Sequence, residues 1–364
     1  MLRNIGKWKR LILEAEFDRV TIPLYYASAR GKRVPLLKTL LTNICKNQCK
    51  YCPLRLGKCR EGLTWSVDKL AKITFRLWKG GIIKGLFLSS SIPYDPDYVV
   101  EREIEVAEKL RQMGFTGYIH LRLMPGVSKD LIWRAALVAD RVGVNIEAPN
   151  KDTFEEIAPD KADFKNDILK RLMWASYIKK IIKRERPFGY LRAGVDTQVI
   201  VGAVKDTDLE YLEVTYKLYK NLGLRRVYYS GFRPIRGTPL ERSPPCPLNR
   251  EYRLYQASFL IRDYNFTLDD LKSILKNDML PNEDLKLAFA RANPNLYPID
   301  PNIATFQEFL KVPGIGPISA RRLLQIRSVK GKITPYDIIC VLGRKRAKLA
   351  LKYLDVPYNY LISY

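Results

Sequence analysis

The chain has 364 residues, of which 47% are hydrophobic, and its 63 Lys and Arg outnumber its 38 Asp and Glu to give a formal net charge of +25. This size suits a globular protein with one large domain and a smaller one, and the absence of any apolar run near the ~18 residues that span a bilayer excludes an integral membrane protein. The positive charge indicates a polyanionic partner, most often nucleic acid, although solvated basic helix faces would also account for it.

The first 34 residues are predicted to form a helical lead-in. The opening MLRNIGKWKRLILEAEF has basic residues but lacks the apolar run and the small-residue cleavage site of a secretory signal, so we expect a cytoplasmic protein. Six cysteines in a chain of this length do not indicate a disulfide scaffold, and three of them fall within eight positions. Reduced, metal-binding thiols are therefore expected.

Residues 35–245 are predicted to form an α/β domain, a partial (β/α)6 barrel, because apolar runs of strand length alternate with helical patterns. The predicted strands cover 35–42, 84–90, 117–123, 141–147, 195–203 and 225–231. The predicted helices cover 66–80, 97–113, 129–139, 163–184 and 206–222, with Ser66, Asp97 and Ser128 as capping residues. In such folds the loops at the carboxyl ends of the strands carry the chemistry.

Three cysteines follow the first predicted strand in the pattern C-x-x-x-C-x-x-C: Cys45, Cys49 and Cys52. A cubane cluster has four iron corners, so three thiolates leave one iron open for a small molecule. Zinc would normally take a fourth protein ligand, but the only histidine is His120 and the nearest spare cysteine is Cys59. A zinc knuckle that includes Cys59 stays open as an alternative.

The segment TNICKNQCKYCP at 42–53 resembles the signature of the radical S-adenosylmethionine (SAM) superfamily, in which an aromatic residue precedes the third cysteine. The resemblance implies a [4Fe-4S] cluster on the three cysteines and SAM chelated by the open iron. It also implies cleavage of SAM to methionine and a 5′-deoxyadenosyl radical, with an electron from an external donor such as ferredoxin or flavodoxin.

The SAM contacts that the resemblance implies lie at or near the ends of predicted strands: Tyr51, Ser89, Ser90, Ser91, Arg122, Asn145, Glu147, Gln198 and Val201. The serines would meet the amino group through backbone carbonyls, and Arg122 would pair with the carboxylate. Asn145 and Glu147 would hydrogen-bond the ribose, and the other three residues would border the adenine. The alternatives are a core position for Tyr51, a solvated or phosphate-binding role for Arg122, and ordinary strand hydrophobicity around Val201.

Residues 246–302 are predicted to form a helical extension after a proline-rich linker. One predicted helix carries Arg250, Arg253 and two tyrosines, which suit phosphate contacts and base stacking, although a helix that only caps the barrel is an equal alternative. By analogy with lesion-repairing radical SAM enzymes, Cys246 would return a hydrogen atom to a substrate radical. A buried thiol without a role is the alternative for this cysteine.

Residues 303–364 are predicted to form a small all-α domain. A helix over 306–310, a turn with Gly314 and Gly316, and a helix over 318–327 resemble a helix-hairpin-helix motif, which implies binding to the nucleic-acid backbone. Glycines allow close approach, a helix N-terminus offers N–H groups to phosphate, and Arg321, Arg322 and Arg327 would add contacts. A second, weaker copy is predicted over 336–354, with a plain packing module as the alternative.

Three further stretches resemble a family of radical SAM proteins assigned to DNA modification or repair: GLFLSSS at 85–91, RVYYSGF at 226–232 and NREYRLYQA at 249–257. The sequence therefore predicts a radical SAM enzyme that acts on nucleic acid, on DNA rather than RNA. An RNA-modifying enzyme and a non-enzymatic iron–sulfur protein that binds nucleic acid stay open as alternatives.

Overall fold

The computed structural model describes residues 24–29, 32–57, 62–185 and 190–356. The chain divides into two compact units. The barrel unit comprises Met1–Asp206 and Leu218–Cys246, and the helical unit comprises Thr207–Lys217 and Pro247–Tyr364. The chain leaves the barrel unit for the last time after Cys246. The predicted helical extension and the predicted C-terminal domain, segments 247–302 and 303–364, belong to the same unit.

Among the described residues, seven strands form one sheet in chain order: β1 Leu24–Ala29, β2 Lys32–Leu40, β3 Gly85–Ser89, β4 Tyr118–Leu123, β5 Arg141–Val144, β6 Gly194–Val201 and β7 Arg226–Gly231. β1 pairs antiparallel with β2, and each later pair is parallel. Parallel strands that follow each other in chain order across helical crossovers are typical of a (β/α) barrel. The prediction of an α/β partial barrel with six parallel strands is confirmed.

The prediction of a helical lead-in over residues 1–34 is wrong for 24–29 and 32–34, which form an antiparallel hairpin. The strand β1 reads LYYASA, and its neighbouring tyrosines are aromatic residues that favour strands over helices. The predicted helix at the start of the chain falls on residues 1–23, which lie outside the described residues.

Helices follow the parallel strands: α1 Val67–Lys79, α2 Pro96–Gln112, α3 Lys129–Val138, α4 Lys151–Ile157, α5 Lys170–Glu185 and α6 Asp208–Lys220. Ser66 caps α1 as predicted, but Asp95 rather than Asp97 caps α2, because Pro96 occupies the first helical position. The carboxylate of Asp97 instead accepts a hydrogen bond from the backbone of Ser128, whose own side chain forms no cap hydrogen bond. The short helix α4 is absent from the prediction, and a π-helical turn at Phe164–Leu169 precedes α5.

The two faces of the sheet differ in chemistry, because successive residues of a strand point to opposite sides. The outer face, under the helices, is buried and aliphatic: Leu37, Leu86, Leu88, Ile119, Leu121, Val142, Val144, Val195 and Val199. The inner face carries the residues that alternate with these: Lys38, His120, Arg122, Arg141, Gly143, Asp196, Gln198 and Tyr228. The core therefore lies on one face of the sheet, and the polar chemistry lies on the other.

The helical unit contains α7 Leu248–Asp263, α8 Leu268–Lys272, α9 Leu285–Ala292, α10 Phe306–Lys311, α11 Pro317–Lys330, α12 Pro335–Leu342 and α13 Arg344–Ala350. Helices α8, α10 and α12 each begin with a capping box. The threonine side chain accepts a hydrogen bond from the backbone N–H of the acidic residue three positions later, and that residue's carboxylate accepts from the threonine N–H. The last four helices enclose a core around Phe309, Leu323 and Ile338. Within the described residues, no helix combines the length and the apolar character that crossing a membrane requires.

Candidate functional site

The cysteine loop, residues 41–57, leaves the carboxyl end of β2 and is fixed to the ends of neighbouring elements. The backbone N–H of Leu41 donates to Ser89 O at 2.7 Å, and that of Ser91 donates to Thr42 O at 3.1 Å. Farther along, the N–H of Lys46 donates to Ile92 O, and the N–H of Lys50 donates to Ile157 O, both at 2.8 Å. These backbone hydrogen bonds hold the loop across the end of the sheet.

The cysteine side chains turn away from solvent. Cys49 is buried, and Cys45 and Cys52 are half-buried. Burial raises the pKa of the Cys49 thiol to about 11 and that of Cys52 to about 12, although the nearby ammonium of Lys161 opposes both shifts. Because a metal binds the thiolate, iron must displace protons from these thiols when it binds.

The loop offers three thiols as the donor set for a metal centre. Within the described part of the chain, no three His, Cys, Asp or Glu side chains converge as one ion requires. A cubane makes a different demand, because each thiolate binds its own iron corner. Cys59, the fourth ligand of the alternative zinc knuckle, lies outside the described residues.

Lys161 joins the cysteine loop to the end of β5 and was not expected from the sequence. Its ammonium forms a short ion pair with Glu147 Oε1 and lies 3.5 Å from the hydroxyl of Tyr51. Burial lowers the pKa of Lys161, but the charges of Glu147 and Cys49 outweigh this and raise it above its usual value. Burial also raises the pKa of Tyr51, so this phenol stays protonated beside Cys49. The result is a fixed positive charge between a carboxylate and the thiols.

Glu147 occupies a strained position next to the sheet. Its φ is +59°, in the left-handed region that residues with a side chain rarely adopt. The backbone is held there by β6, since its N–H donates to Gln198 O and its carbonyl accepts from the N–H of Ile200. Strain of this kind concentrates at functional sites. The strained backbone and the ion pair with Lys161 together fix the direction of the carboxylate.

Asn145 supplies an unpaired polar atom, and the serine segment 89–91 borders the cysteine loop. The side-chain oxygen Oδ1 of Asn145 is buried and has no hydrogen-bond partner among the described residues. An orphaned buried acceptor is costly, which favours a bound ligand that donates to it. Ser90 Oγ accepts from the N–H of Thr42 and donates to Ser91 O, so the segment 89–91 borders the start of the cysteine loop.

Gln198 and Val201, which were both predicted to border the adenine, have side chains on opposite faces of the sheet. Gln198 lies on the inner face with Asp196, whereas Val201 alternates with it and lies fully buried on the outer face with Val199. The backbone carbonyl of Val201 accepts from the N–H of Phe232, which joins the ends of β6 and β7. A ligand contact by the side chain of Val201 is thus contrary to the structure.

Arg122 lies on the inner face but is neither solvated nor free. It is 4% exposed, and its guanidinium donates to Asp196 Oδ1 at 2.7 Å. His120 Nε2 lies 3.2 Å from the other oxygen of Asp196, and Arg141 lies 3.7 Å from it. Burial raises the pKa of Asp196, but these three neighbours outweigh it and lower the pKa to about 2. We call Lys38, His120, Arg122, Arg141 and Asp196 the inner-face network.

The remaining residues of the predicted site lie in different settings. Cys246 is buried at 9% exposure after β7, and its N–H donates to Phe232 O. Arg250 forms an ion pair with the buried Asp208 at 2.7 Å within the helical unit, so its role is structural, contrary to the predicted phosphate contact. Arg253 is half-buried: it donates to Gln256 and lies over the exposed ring of Tyr252, and its Nε is buried without a hydrogen-bond partner among the described residues.

The turn between α10 and α11 has the backbone that the sequence pattern requires. Gly314 has φ +86°, and a Cβ there would come within 3.0 Å of Arg346 O, so only glycine suits the position. Gly316 caps α11, where Arg321 and Arg322 are exposed. Arg327 is half-buried, and its Nη1 donates to the carbonyls of Pro301 and Ala304 within the same unit.

A buried lysine supports this turn from α9. The ammonium of Lys286 donates to Ile315 O at 2.6 Å, and burial lowers the pKa of Lys286 to about 7. Gly343, with φ +74°, makes the equivalent turn between α12 and α13. The helical unit thus contains two pairs of helices, each joined by a tight glycine turn.

Comparisons with known proteins place the chain far from characterised relatives. No protein-family model matches it. An uncharacterized protein of Methanocaldococcus jannaschii is 21% identical over 227 residues, which cover 59% of this chain and 54% of the relative. The chain therefore spans about half the length of this curated relative.

Three solved structures are distantly similar to this chain. HydG, a maturase of the [FeFe]-hydrogenase, is 14% identical with a TM-score of 0.49 over 62% of this chain and 48% of HydG. HydG from Carboxydothermus hydrogenoformans is also 14% identical, with a TM-score of 0.47 over 62% of this chain and 51% of that protein. Methylornithine synthase (PylB) is 19% identical with a TM-score of 0.47 over 64% of this chain and 65% of PylB. At these values the similarity bears on neither substrate nor reaction.

Proposed function

We propose that the chain is a radical SAM enzyme that acts on nucleic acid. The observation that carries the first part is the loop of Cys45, Cys49 and Cys52 at the carboxyl end of the first parallel strand of a partial barrel. The three thiolates would hold a [4Fe-4S] cluster and leave one iron open for SAM. The cluster with its bound SAM supplies a 5′-deoxyadenosyl radical, using an electron from an external donor such as ferredoxin or flavodoxin.

The residues around the loop would bind and orient SAM. Asn145 Oδ1 has no partner and would accept a hydrogen bond from a ribose hydroxyl. Glu147 would accept from the same sugar, with its carboxylate held in place by Lys161. The segment 89–91 would offer backbone carbonyls to the amino group of SAM. Because the ion pair with Lys161 already fixes the Glu147 side chain, SAM binding would cost little conformational entropy at this residue.

The radical function is tested by anaerobic reconstitution of the full chain with iron and sulfide, followed by reduction and addition of SAM. Wild-type protein should release 5′-deoxyadenosine, and Cys45→Ala should release none. Cys340→Ala is the matched control, since this thiol is exposed in the helical unit, and it should match the wild type. A fully loaded cluster that yields no 5′-deoxyadenosine would rule out the radical function.

The nucleic-acid substrate is supported by the net charge of +25 and by the turn of Gly314 and Gly316 beside two exposed arginines. This turn resembles a helix-hairpin-helix, whose backbone N–H groups would bind phosphate without reading sequence. Cys246 would be the hydrogen donor to a substrate radical if the reaction needs one. A base inside a duplex is out of reach, so the substrate would be single-stranded or an extruded nucleotide.

The substrate class is tested by binding at fixed salt to duplex DNA, single-stranded DNA and tRNA. We expect tighter binding to DNA than to tRNA. The double substitution Arg321→Gln and Arg322→Gln should reduce the slope of the logarithm of the association constant against the logarithm of the salt concentration by about 2. Arg291→Gln, a control in the same unit, should leave the slope unchanged. Tighter binding to tRNA would redirect the proposal to RNA, and mass spectrometry of nucleosides from cells with and without the gene would then identify the product.

A further inference from the structure

Helix α5 carries apolar side chains on two of its faces. One face packs in the barrel unit through buried residues, among them Leu172, Ile178 and Ile182. At about 100° per residue, four further apolar residues fall on the opposite face: Met173, Trp174, Tyr177 and Ile181. Of these, Met173 is 53% exposed and Tyr177 57%. A surface helix normally places polar residues on its outer face, so an exposed second apolar face indicates a binding surface.

Positive charge accompanies this second apolar face. Helix α5 contains six basic residues and one acidic residue, Glu185, which lies 3.6 Å from Arg184. Lys170 and Lys180 are exposed, and neither belongs to an ion pair among the described residues. At about 1.5 Å of rise per residue, these two lysines lie about 15 Å apart along the helix, on the side of the exposed apolar residues. We call this face the outer stripe: Lys170, Met173, Trp174, Tyr177, Lys180 and Ile181.

Neighbouring basic residues crowd the carboxyl half of the helix. Burial lowers the pKa of Lys179, and the positive charges of four neighbours lower it further: Arg225, Lys183, Arg141 and Lys180. Lys183 is exposed, like Lys180. Repulsion between like charges raises the free energy of the protein, and a polyanion bound at the outer stripe would relieve it.

Aromatic rings order the cations of the outer stripe. The ammonium of Lys170 lies 5.3 Å from the ring centroid of Trp174, and the guanidinium carbon of Arg171 lies 4.9 Å from it. Arg171 is engaged with backbone carbonyls of the barrel unit, so Trp174 is fixed between it and Lys170. The ammonium of Lys129, on α3, lies 6.0 Å from the ring centroid of Tyr177. The ring of Tyr177 thus combines solvent exposure with a cation beside it.

We propose that the outer stripe binds a single strand of nucleic acid, with a base stacked on Tyr177 and phosphates at Lys170 and Lys180. A single strand offers both bases that can stack on an aromatic ring and a phosphate at every nucleotide, and this combination matches aromatic surface set among lysines. A duplex keeps its bases stacked inside and would engage the lysines alone. This inference adds a contact surface in the barrel unit and rests on the proposed function for the choice of nucleic acid among polyanions.

The stacking contact is tested with the full chain, its cluster reconstituted and oxidised, and a fluorescent single-stranded DNA of mixed sequence followed by anisotropy. Tyr177→Ala should weaken binding about tenfold, because one stacked base is lost. Tyr177→Phe keeps the ring and should bind like the wild type. Tyr94→Ala is the matched control, since Tyr94 is also 57% exposed and lies in the barrel unit, and it should not weaken binding. A strand that carries iododeoxyuridine should cross-link to Tyr177 on irradiation, and mass spectrometry of the peptides locates that site.

The phosphate contacts are tested by the salt dependence of the same binding. The double substitution Lys170→Gln and Lys180→Gln should reduce the slope of the logarithm of the association constant against the logarithm of the salt concentration by about 1.4, because each contact to a single strand contributes about 0.7. The double substitution Lys72→Gln and Lys79→Gln removes the same charge from exposed positions on α1 and should leave the slope unchanged. All of these side chains lie on the surface, so the variants should fold like the wild type.

Wild-type affinity in Tyr177→Ala and an unchanged slope in the double lysine variant would overturn the proposal and leave the outer stripe a solvated surface. If the hairpin arginine variant lowers the slope while the stripe variants do not, the stripe is refuted and the nucleic-acid substrate stands. A wild type that binds no nucleic acid overturns both. The release of 5′-deoxyadenosine is measured separately, so a protein that binds single strands through the stripe without cleaving SAM would refute the radical function alone.

Discussion

The cysteine loop and the inner-face network belong to the same sheet but are built in opposite ways. Cys45, Cys49 and Cys52 come from eight consecutive positions, on a loop held by backbone hydrogen bonds. Arg122 and Asp196 are 74 positions apart, and each member of the network depends on the register of its strand. The loop can therefore lose a side chain without losing its shape, whereas the network cannot lose its acid without leaving buried charges unpaired.

The substitution expected to test this contrast most strongly is Asp196→Asn. It leaves two buried guanidinium groups without their carboxylate, and breaking a buried ion pair costs roughly 3–5 kcal/mol of unfolding free energy. All five tryptophans lie in residues 1–206, so tryptophan fluorescence during urea unfolding reports on the barrel unit.

Two controls define the contrast for Asp196→Asn. Glu101→Gln removes an exposed partner of Arg134 and should cost less than about 1 kcal/mol. Cys45→Ala alters the loop and should also leave the urea midpoint of the metal-free protein close to that of the wild type. Equal midpoints for Asp196→Asn and Cys45→Ala would show that the network is not a stabilising core.

A smaller effect is expected from Gly143→Ala, which fills the space between Arg122 and Asp196. The added methyl group forces the ion pair to open, and overpacking of this kind costs about 1–3 kcal/mol. A double-mutant cycle with Asp196→Ala provides the control, because that second substitution removes the carboxylate, the nearest group to the added methyl group, and leaves the contacts with Arg122 and with the backbone carbonyl of residue 196. If the changes in unfolding free energy of the two single variants sum to the change in the double variant, the steric explanation is wrong.

The parts of this molecule that were predictable from sequence are the local ones. All six parallel strands were predicted within a few residues of their observed ends, because each is a short apolar run between turn residues. The cysteine loop and the Gly314 turn are likewise patterns within a dozen residues. Helix α4, seven residues long, and strand β1 were missed because each is short and follows no strong periodicity.

The parts that sequence reasoning missed depend on contacts between distant segments. Lys161 looked like one of many surface lysines, and only the fold brings it to Glu147 and Tyr51. Arg250 looked like a phosphate contact because its partner, Asp208, lies 42 positions away. One signal did exist for the inner-face network: His120, Arg122 and Asp196 interrupt apolar strands at alternate positions, which indicates polar residues that share one face.

The smallest expected effect comes from protonation of His120. Burial lowers its pKa to about 4, reinforced by Arg122 and Arg141 and opposed by Asp196, whereas an exposed histidine in the unfolded chain titrates near 6.5. Between these values the unfolded chain binds the proton and the folded protein does not, so the contribution of His120 to stability should rise with pH in this range. At pH 5.5 the loss relative to pH 7.5 should be roughly 1 kcal/mol.

Urea midpoints of the wild type and of His120→Gln, compared between pH 5 and 7.5, measure this contribution. The difference between the two proteins isolates the only histidine of the sequence, because other buried titratable groups, among them Glu103 and Lys286, are present in both. The imidazole NMR signal of the wild type should stay that of the neutral ring down to pH 5. A midpoint near 6.5 for that signal would mean that His120 is solvated, and the description of the inner-face network as buried would then be wrong.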